Sequence, residues 1–201
     1  MHRRSFIGLA AGLPGLIALP AAAQQFSGAD ARDLARVTNY LNGTTTLEGA
    51  FVQVAPNGDV STGDFFLRRP GRIRFEYDRP NPALVVADGT WVAVIDRGAG
   101  TLDRYPLGQT PLDLLLRDRV DLRGEGAITA IVRANERIRI TAIDPDAPDQ
   151  GSITMVFSDS PLQLRQWVVI DAQGLETTVA LSEMRANVRI DPRKFVIEDP
   201  A

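Results

Sequence analysis

The chain has no cysteine, a single histidine (His2) and a single lysine (Lys194). Without cysteine there is no disulfide, no thiolate metal site, no iron–sulfur ligation and no thiol nucleophile. If the N-terminal segment carrying His2 is removed, no imidazole remains for a Ser–His–Asp triad or a His-ligated metal. A long apolar run is also missing. Phe6 to Leu19 is uncharged and mostly apolar, but Gly8, Gly12, Pro14 and Gly15 break it. It is shorter than the ~20 residues that span a bilayer. Basic residues are outnumbered, 22 Lys and Arg against 25 Asp and Glu, for a net charge of −3. That balance argues against nucleic acid or an anionic membrane as partner.

What is present begins with an export signal. Arg3 and Arg4 precede the apolar run, and Ala21-Ala22-Ala23 supplies a small-residue cleavage pattern. Cleavage is expected after Ala23, leaving residues 24–201 as one domain in the periplasm. No cysteine follows the run, so no lipid anchor is expected. Arg3-Arg4-Ser5-Phe6-Ile7 suits a twin-arginine signal as well as the general secretory route, and both stay open. Residues 1–23 carry two arginines and no acid, so their removal makes the chain more acidic. The remaining length, with 44% apolar and 23% charged residues overall, is that of one globular domain.

Hydrophobic periodicity predicts one amphipathic helix over 28–43. Ser27 stands at its cap with Asp30 three residues on, Leu34, Val37 and Leu41 form one stripe, and Gly43 suits the C′ position. From Leu47 the period changes to two. Strands are predicted over 47–54, 63–69, 72–77, 83–87, 91–96, 127–133, 137–143, 152–157, 163–170, 176–181 and 187–190. Turn signals such as Asn57-Gly58, Pro70-Gly71 and Asp88-Gly89 separate them. Connections this short favour antiparallel meander order. One interruption, Thr110-Pro111-Leu112-Asp113 leading into Leu114-Leu115-Leu116, predicts a short helix over about 111–117, capped by Thr110. Being apolar almost all round, it must be covered or serve as a cover.

Little in the chain resembles a catalytic set. Glu76, Asp78, Asp88 and Asp96 fall at strand ends and turns, where solvated acids are the better reading than a buried pair. Asp144-Pro145-Asp146 with Asp149 fails the calcium-loop spacing. Gly124-Glu125-Gly126 lacks the third glycine of a dinucleotide fingerprint. No metal, cofactor or enzymatic activity is expected. The informative stretch is Arg68-Arg69-Pro70-Gly71-Arg72-Ile73-Arg74-Phe75-Glu76-Tyr77. Arg72, Arg74 and Glu76 share one strand face, and Ile73, Phe75 and Tyr77 share the other. Arg69 shares a face with Phe65 and Leu67, so it must enter the apolar side from its rim and needs acceptors there.

These residues resemble the periplasmic outer-membrane lipoprotein carrier proteins, the LolA family. Leu47-Glu48-Gly49-Ala50-Phe51-Val52-Gln53 is similar to the family's Phe-x-Gln strand. The Arg69-Pro70-Gly71 turn precedes an Arg-aromatic-x-Tyr strand, and Val86-Ala87-Asp88-Gly89 follows. Thr110-Pro111-Leu112 matches the opening of the mid-chain helix, and Asp191-Pro192-Arg193-Lys194-Phe195 the closing strand. Phe75 stands where tryptophan is common, and the chain ends just after Pro200. The resemblance implies a mainly β (α+β) fold, an unclosed, strongly curved antiparallel β-barrel covered by short helices, with an apolar cavity for lipoprotein acyl chains. It implies an inner-membrane ABC release complex of the LolCDE type and an outer-membrane receptor, LolB, as partners of a monomeric carrier. It implies that Arg69 clamps the lid of the empty carrier and that Ile73 lies near the mouth. From strand parity the cavity candidates are Phe51, Leu67, Ile73, Phe75, Trp91, Leu112, Leu115 and Trp167. A related periplasmic module that senses lipids or lipoproteins without passing them on is the alternative.

Overall fold

A computed structural model describes residues 26–122 and 127–199. The expected leader, its cleavage point and Gly124-Glu125-Gly126 lie outside the described residues. Helix α1 (Gly28–Gly43) is followed by strands β1 (Thr46–Val54), β2 (Val60–Arg68), β3 (Arg72–Tyr77), β4 (Ala83–Asp88), β5 (Trp91–Asp96) and β6 (Thr101–Pro106). Helix α2 (Asp113–Leu116) precedes β7 (Ile128–Ala134), β8 (Arg137–Ile143), β9 (Ser152–Asp159), β10 (Leu162–Ile170) and β11 (Glu176–Ala186). All eleven strands form one antiparallel sheet in the order β6-β5-β4-β3-β2-β1-β11-β10-β9-β8-β7. The sheet is unclosed, with β6 and β7 as its two free edges, and α2 lies between them in the chain.

The sheet curls hard. Between β3 and β10 lie β2, β1 and β11, so in a flat sheet the two would be about 19 Å apart at the usual strand spacing. Yet the rings of Phe75 on β3 and Trp167 on β10 are 6.1 Å apart, nearly edge to face. Burying both on the concave face is the driving force: alternate residues of almost every strand meet there in one core with Leu34, Val37 and Leu41 of α1. The convex face has its own smaller cluster, Leu84, Val86, Ala93 and Ile95, against which Leu102 and Ile197 pack.

Helix α1 starts as its sequence dictates. Ser27 and Asp30 form a reciprocal capping box. Tyr40 accepts the Leu164 N–H at 3.2 Å and packs edge-on to Phe157. The buried Asp33 carboxylate takes hydrogen bonds from Arg36 and Arg133, both of which also hold Asp159 at the β9–β10 turn. The helix is thus pinned across one end of the barrel.

Several boundaries differ from expectation. Gly43 is the last helical residue, and Thr44 caps the helix in an extended conformation, its hydroxyl donating to the Tyr40 carbonyl at 2.9 Å. Thr110 does not cap a helix: its hydroxyl turns back to the Leu107 carbonyl, closing a 3-10 turn, and α2 is a single turn over 113–116. Residues 187–190 form no strand, because Asn187 adopts φ +56° and its side-chain carbonyl takes the Thr45 N–H. Pro192–Phe195, matched above to a closing strand, is a 3-10 turn capped by Asp191. Strand β6 was not expected. It is an edge strand with little apolar content, so the alternation that marks the others is weak there.

Candidate functional site

Inside the curl is a cavity of about 550 Å³. Its walls are Phe75, Val85, Val92, Val94, Leu112, Trp167, Val169 and Val179; Gln53, Tyr77, Gln150, Asp171, Gln173 and Thr177 give it a polar end, and Gln109 lines it as well. Among the described residues no lysine or arginine lines it. A concavity of similar volume lies on the convex face between Arg68, Arg72, Asp88, Trp91, Arg104 and the 192–197 segment. Three arginines make that outer one unsuitable for acyl chains, since a cation buried against hydrocarbon loses its hydration without compensation. The inner cavity is the candidate site.

The two ends of the barrel are finished differently. At the end carrying the β2–β3 turn, Arg69 Nη1 donates to the carbonyl of Leu41, in the last turn of α1. The adjacent Asn42 amide makes a reciprocal pair with Val120: Nδ2 donates to the Val120 carbonyl and Oδ1 accepts the Val120 N–H, each at 2.9 Å. The Gly71 N–H donates to the Leu116 carbonyl at 2.8 Å. Gly71 is required there, because it adopts φ +74° and a Cβ would come within 2.6 Å of Gly89 Cα. The turn, the end of α1 and the α2 segment are therefore stitched together. Burial holds the Arg69 pKa down at about 10. The guanidinium is still charged at neutral pH, and its Nε is buried with no acceptor among the described residues.

Of the sequence candidates, Phe75, Leu112 and Trp167 line the cavity. Leu67, Ile73 and Leu115 face inward but are packed in the solid core, and Phe51 is buried directly behind the cavity-lining Phe75 and Tyr77. Ile73 is fully buried rather than at a mouth, in register with Leu67 on β2 and Ala87 on β4. Trp91 is on the wrong face: it is 43% exposed on the convex side, lining the outer concavity. The run Trp91-Val92-Ala93-Val94 has no polar member to fix its phase, and Val92 and Val94 point inward instead. The partner of Arg69 is α1 rather than α2, and Asn42 ties the end of α1 to Val120, four residues beyond α2. Gln53, Tyr77 and the far-side Val169, Thr177 and Val179 were not singled out as site residues. Tyr77 shares parity with Phe75, and Gln53 with Phe51, so period two already placed them on the inner face.

Among the described residues no three His, Asp or Glu side chains stand close enough to hold a metal ion, and no helix is long and apolar enough to cross a membrane. The curated relatives match along most of the chain. It is 27% identical over 201 residues to the outer-membrane lipoprotein carrier protein of Chromobacterium violaceum, covering 93% of each chain. It is 30% identical over 182 residues to that of Halorhodospira halophila, covering 86% of this chain and 84% of the other. Among solved structures, a LolA superfamily protein of Nitrosomonas europaea overlays 83% of this chain and 97% of its own, with a TM-score of 0.43 and 10% identity. The model of the family described as outer membrane lipoprotein carrier protein LolA matches residues 42–198, from the end of α1 to beyond the 192–195 turn, and the chain belongs to that family.

Proposed function

We propose that the chain is a non-enzymatic carrier that takes lipoproteins by their acyl chains and moves them from the inner to the outer membrane. The observation that carries this reading is the inner cavity: apolar along its walls, with no basic residue among the described residues that line it, and continuous with the core of an unclosed barrel. Its volume lies within the range of ordinary ligand sites, about 300–1,000 Å³. Burying a methylene gives about 0.8 kcal/mol, so acyl chains of ~16 carbons release tens of kcal/mol gross. Non-covalent affinities stop near −18 to −21 kcal/mol, so opening the barrel must offset most of that gain. No site chemistry is needed beyond burial and release.

Opening is where Arg69 enters. Its bond to Leu41 is charge-assisted, of a kind that contributes about 1.5–3 kcal/mol, while an unpaired buried donor such as its Nε costs about 1–3 kcal/mol. Closure by this residue is therefore marginal, which suits a latch that must release. The exported chain, cleaved after Ala23, would work in the periplasm. It would be loaded by an ABC release complex of the LolCDE type and unloaded by a LolB-type receptor of higher affinity. The test is release of newly made lipoprotein from inner-membrane vesicles or spheroplasts by the purified chain. Lipoprotein appearing in the soluble fraction as a complex with the chain is the expected result. Lipoprotein that stays in the membrane at every concentration of the chain would sink the reading.

A further inference from the structure

The polar end of the cavity is organised around one hydrogen bond. Gln53 on β1 and Tyr77 on β3 both face inward, with β2 between them. They meet because β2 presents Gly63 there, the register partner of both Phe51 and Tyr77. A Cβ on Gly63 would stand 2.0 Å from the Glu76 carbonyl oxygen and 2.9 Å from Phe51 Cε1, so no side chain fits. Phe51 occupies that space, with its ring 5.1 Å from the Tyr77 ring and almost perpendicular to it. The Tyr77 hydroxyl donates to Gln53 Oε1 at 2.8 Å. Burial pushes the Tyr77 pKa up, so the hydroxyl stays a donor across the physiological range.

That bond uses the glutamine oxygen and leaves the amide Nε2, with two N–H donors, no acceptor among the described residues. In an empty cavity water serves it. An acyl chain expels that water, and a purely hydrocarbon cargo would leave the amide dehydrated and unpaired, which is unfavourable. A cargo with an acceptor at this level removes the penalty. The acceptor must be neutral. Among the described residues no basic side chain lines the cavity, and Asp171, whose Oδ1 takes the N–H groups of Gln173 and Leu175, adds negative charge to this end.

We infer that Gln53, held in place by Tyr77, is a specificity-determining donor to the carbonyl oxygen of the ester or amide that joins an acyl chain to its head. The inference rests on the carrier reading and sharpens it, because it distinguishes acylated cargo from hydrocarbon of equal length. Tails then extend from that level towards Phe75 and Trp167.

The probes are a diacylglyceryl-cysteine lipopeptide and its dialkyl ether analogue of the same chain lengths. The wild-type chain is expected to bind the ester form about tenfold more tightly, the worth of one well-made hydrogen bond. Gln53→Leu is expected to bind the two forms equally and the ether form no more weakly than wild type does. Tyr77→Phe, which frees the amide to rotate, is expected to keep about a threefold preference. Equal binding of both forms by the wild-type chain overturns the inference and leaves the carrier reading standing, whatever the variants do. A tenfold preference surviving in Gln53→Leu overturns it too. Binding of neither lipopeptide by the wild-type chain overturns both readings together.

Discussion

The two ends of the barrel are made from the same strands and behave as different materials. At the end that holds the β2–β3 turn, Leu67, Ile73 and Leu115 fill the interior, and backbone groups of α1 and of the 116–120 segment are satisfied by Arg69, Gly71 and Asn42. At the other end the inner residues are Phe75, Tyr77, Gln53 and Val169, and about 550 Å³ is unfilled. Tight packing makes the first end respond sharply to lost volume. The second tolerates changes in side-chain volume, because it already holds space for a guest. What differs is what lies over each end: two helices on one, chiefly the 109–112 segment on the other.

Volume deletions test that contrast most directly. Leu115→Ala, at the filled end, is expected to cost about 2–5 kcal/mol in denaturant unfolding. Leu112→Ala, a half-buried cavity wall, should cost under about 1 kcal/mol, since its cavity already exists. Similar costs for the two would erase the distinction. Asn42→Ala comes next. It leaves a part-buried Val120 N–H and carbonyl without their partner, for about 1–3 kcal/mol. It should also raise amide exchange at Val120 and Leu116 before anywhere near Trp167.

Arg69→Leu is expected to change stability by less than about 1 kcal/mol, because the lost bond and the relieved unpaired Nε nearly cancel. Its effect should surface in transfer instead. Loading stays normal while hand-over from preloaded carrier to receptor falls, and Arg69→Lys lies between. Transfer equal to wild type would show that the turn does not control opening. The smallest effect concerns acid. Hydrogen bonds from Arg36, then Arg133, hold the Asp159 carboxyl below its ordinary pKa. Its contribution is therefore present above the unfolded carboxylate pKa and lost as pH falls through the depressed folded value. Melting curves of Asp159→Asn should lie below wild type at neutral pH and converge with it in acid; parallel curves would rule out the α1 anchor as an acid-sensitive element.

The sheet was legible because one of its faces is buried at almost every strand, and period-two alternation reports that directly. Alternation gives the face of a residue and not its level along the barrel. That is why Leu67 and Ile73 point inward and yet stand in the filled core, while Phe51, at the level of Tyr77, is packed behind the cavity wall. Where both faces are covered the signal vanishes. Trp91 sits in such a run, since the 192–197 segment covers the convex side of β4 and β5. The acceptor for Arg69 was beyond reach for another reason: a carbonyl 28 residues upstream, in a helix that crosses the barrel end, leaves no local trace in the sequence.

The free edges of β6 and β7 have a mechanical meaning. In a closed barrel any widening must break ladder hydrogen bonds on the circumference. Here the ten ladders form an open ribbon with β6 and β7 as its two margins, and the segment that carries α2 follows β6. The ribbon can uncurl by small changes of twist shared among all its strands, while every ladder stays intact. Girth is then set by the guest as much as by the sheet, and chains of different number and length can be accommodated by one sheet, as a cuff fits wrists of different sizes.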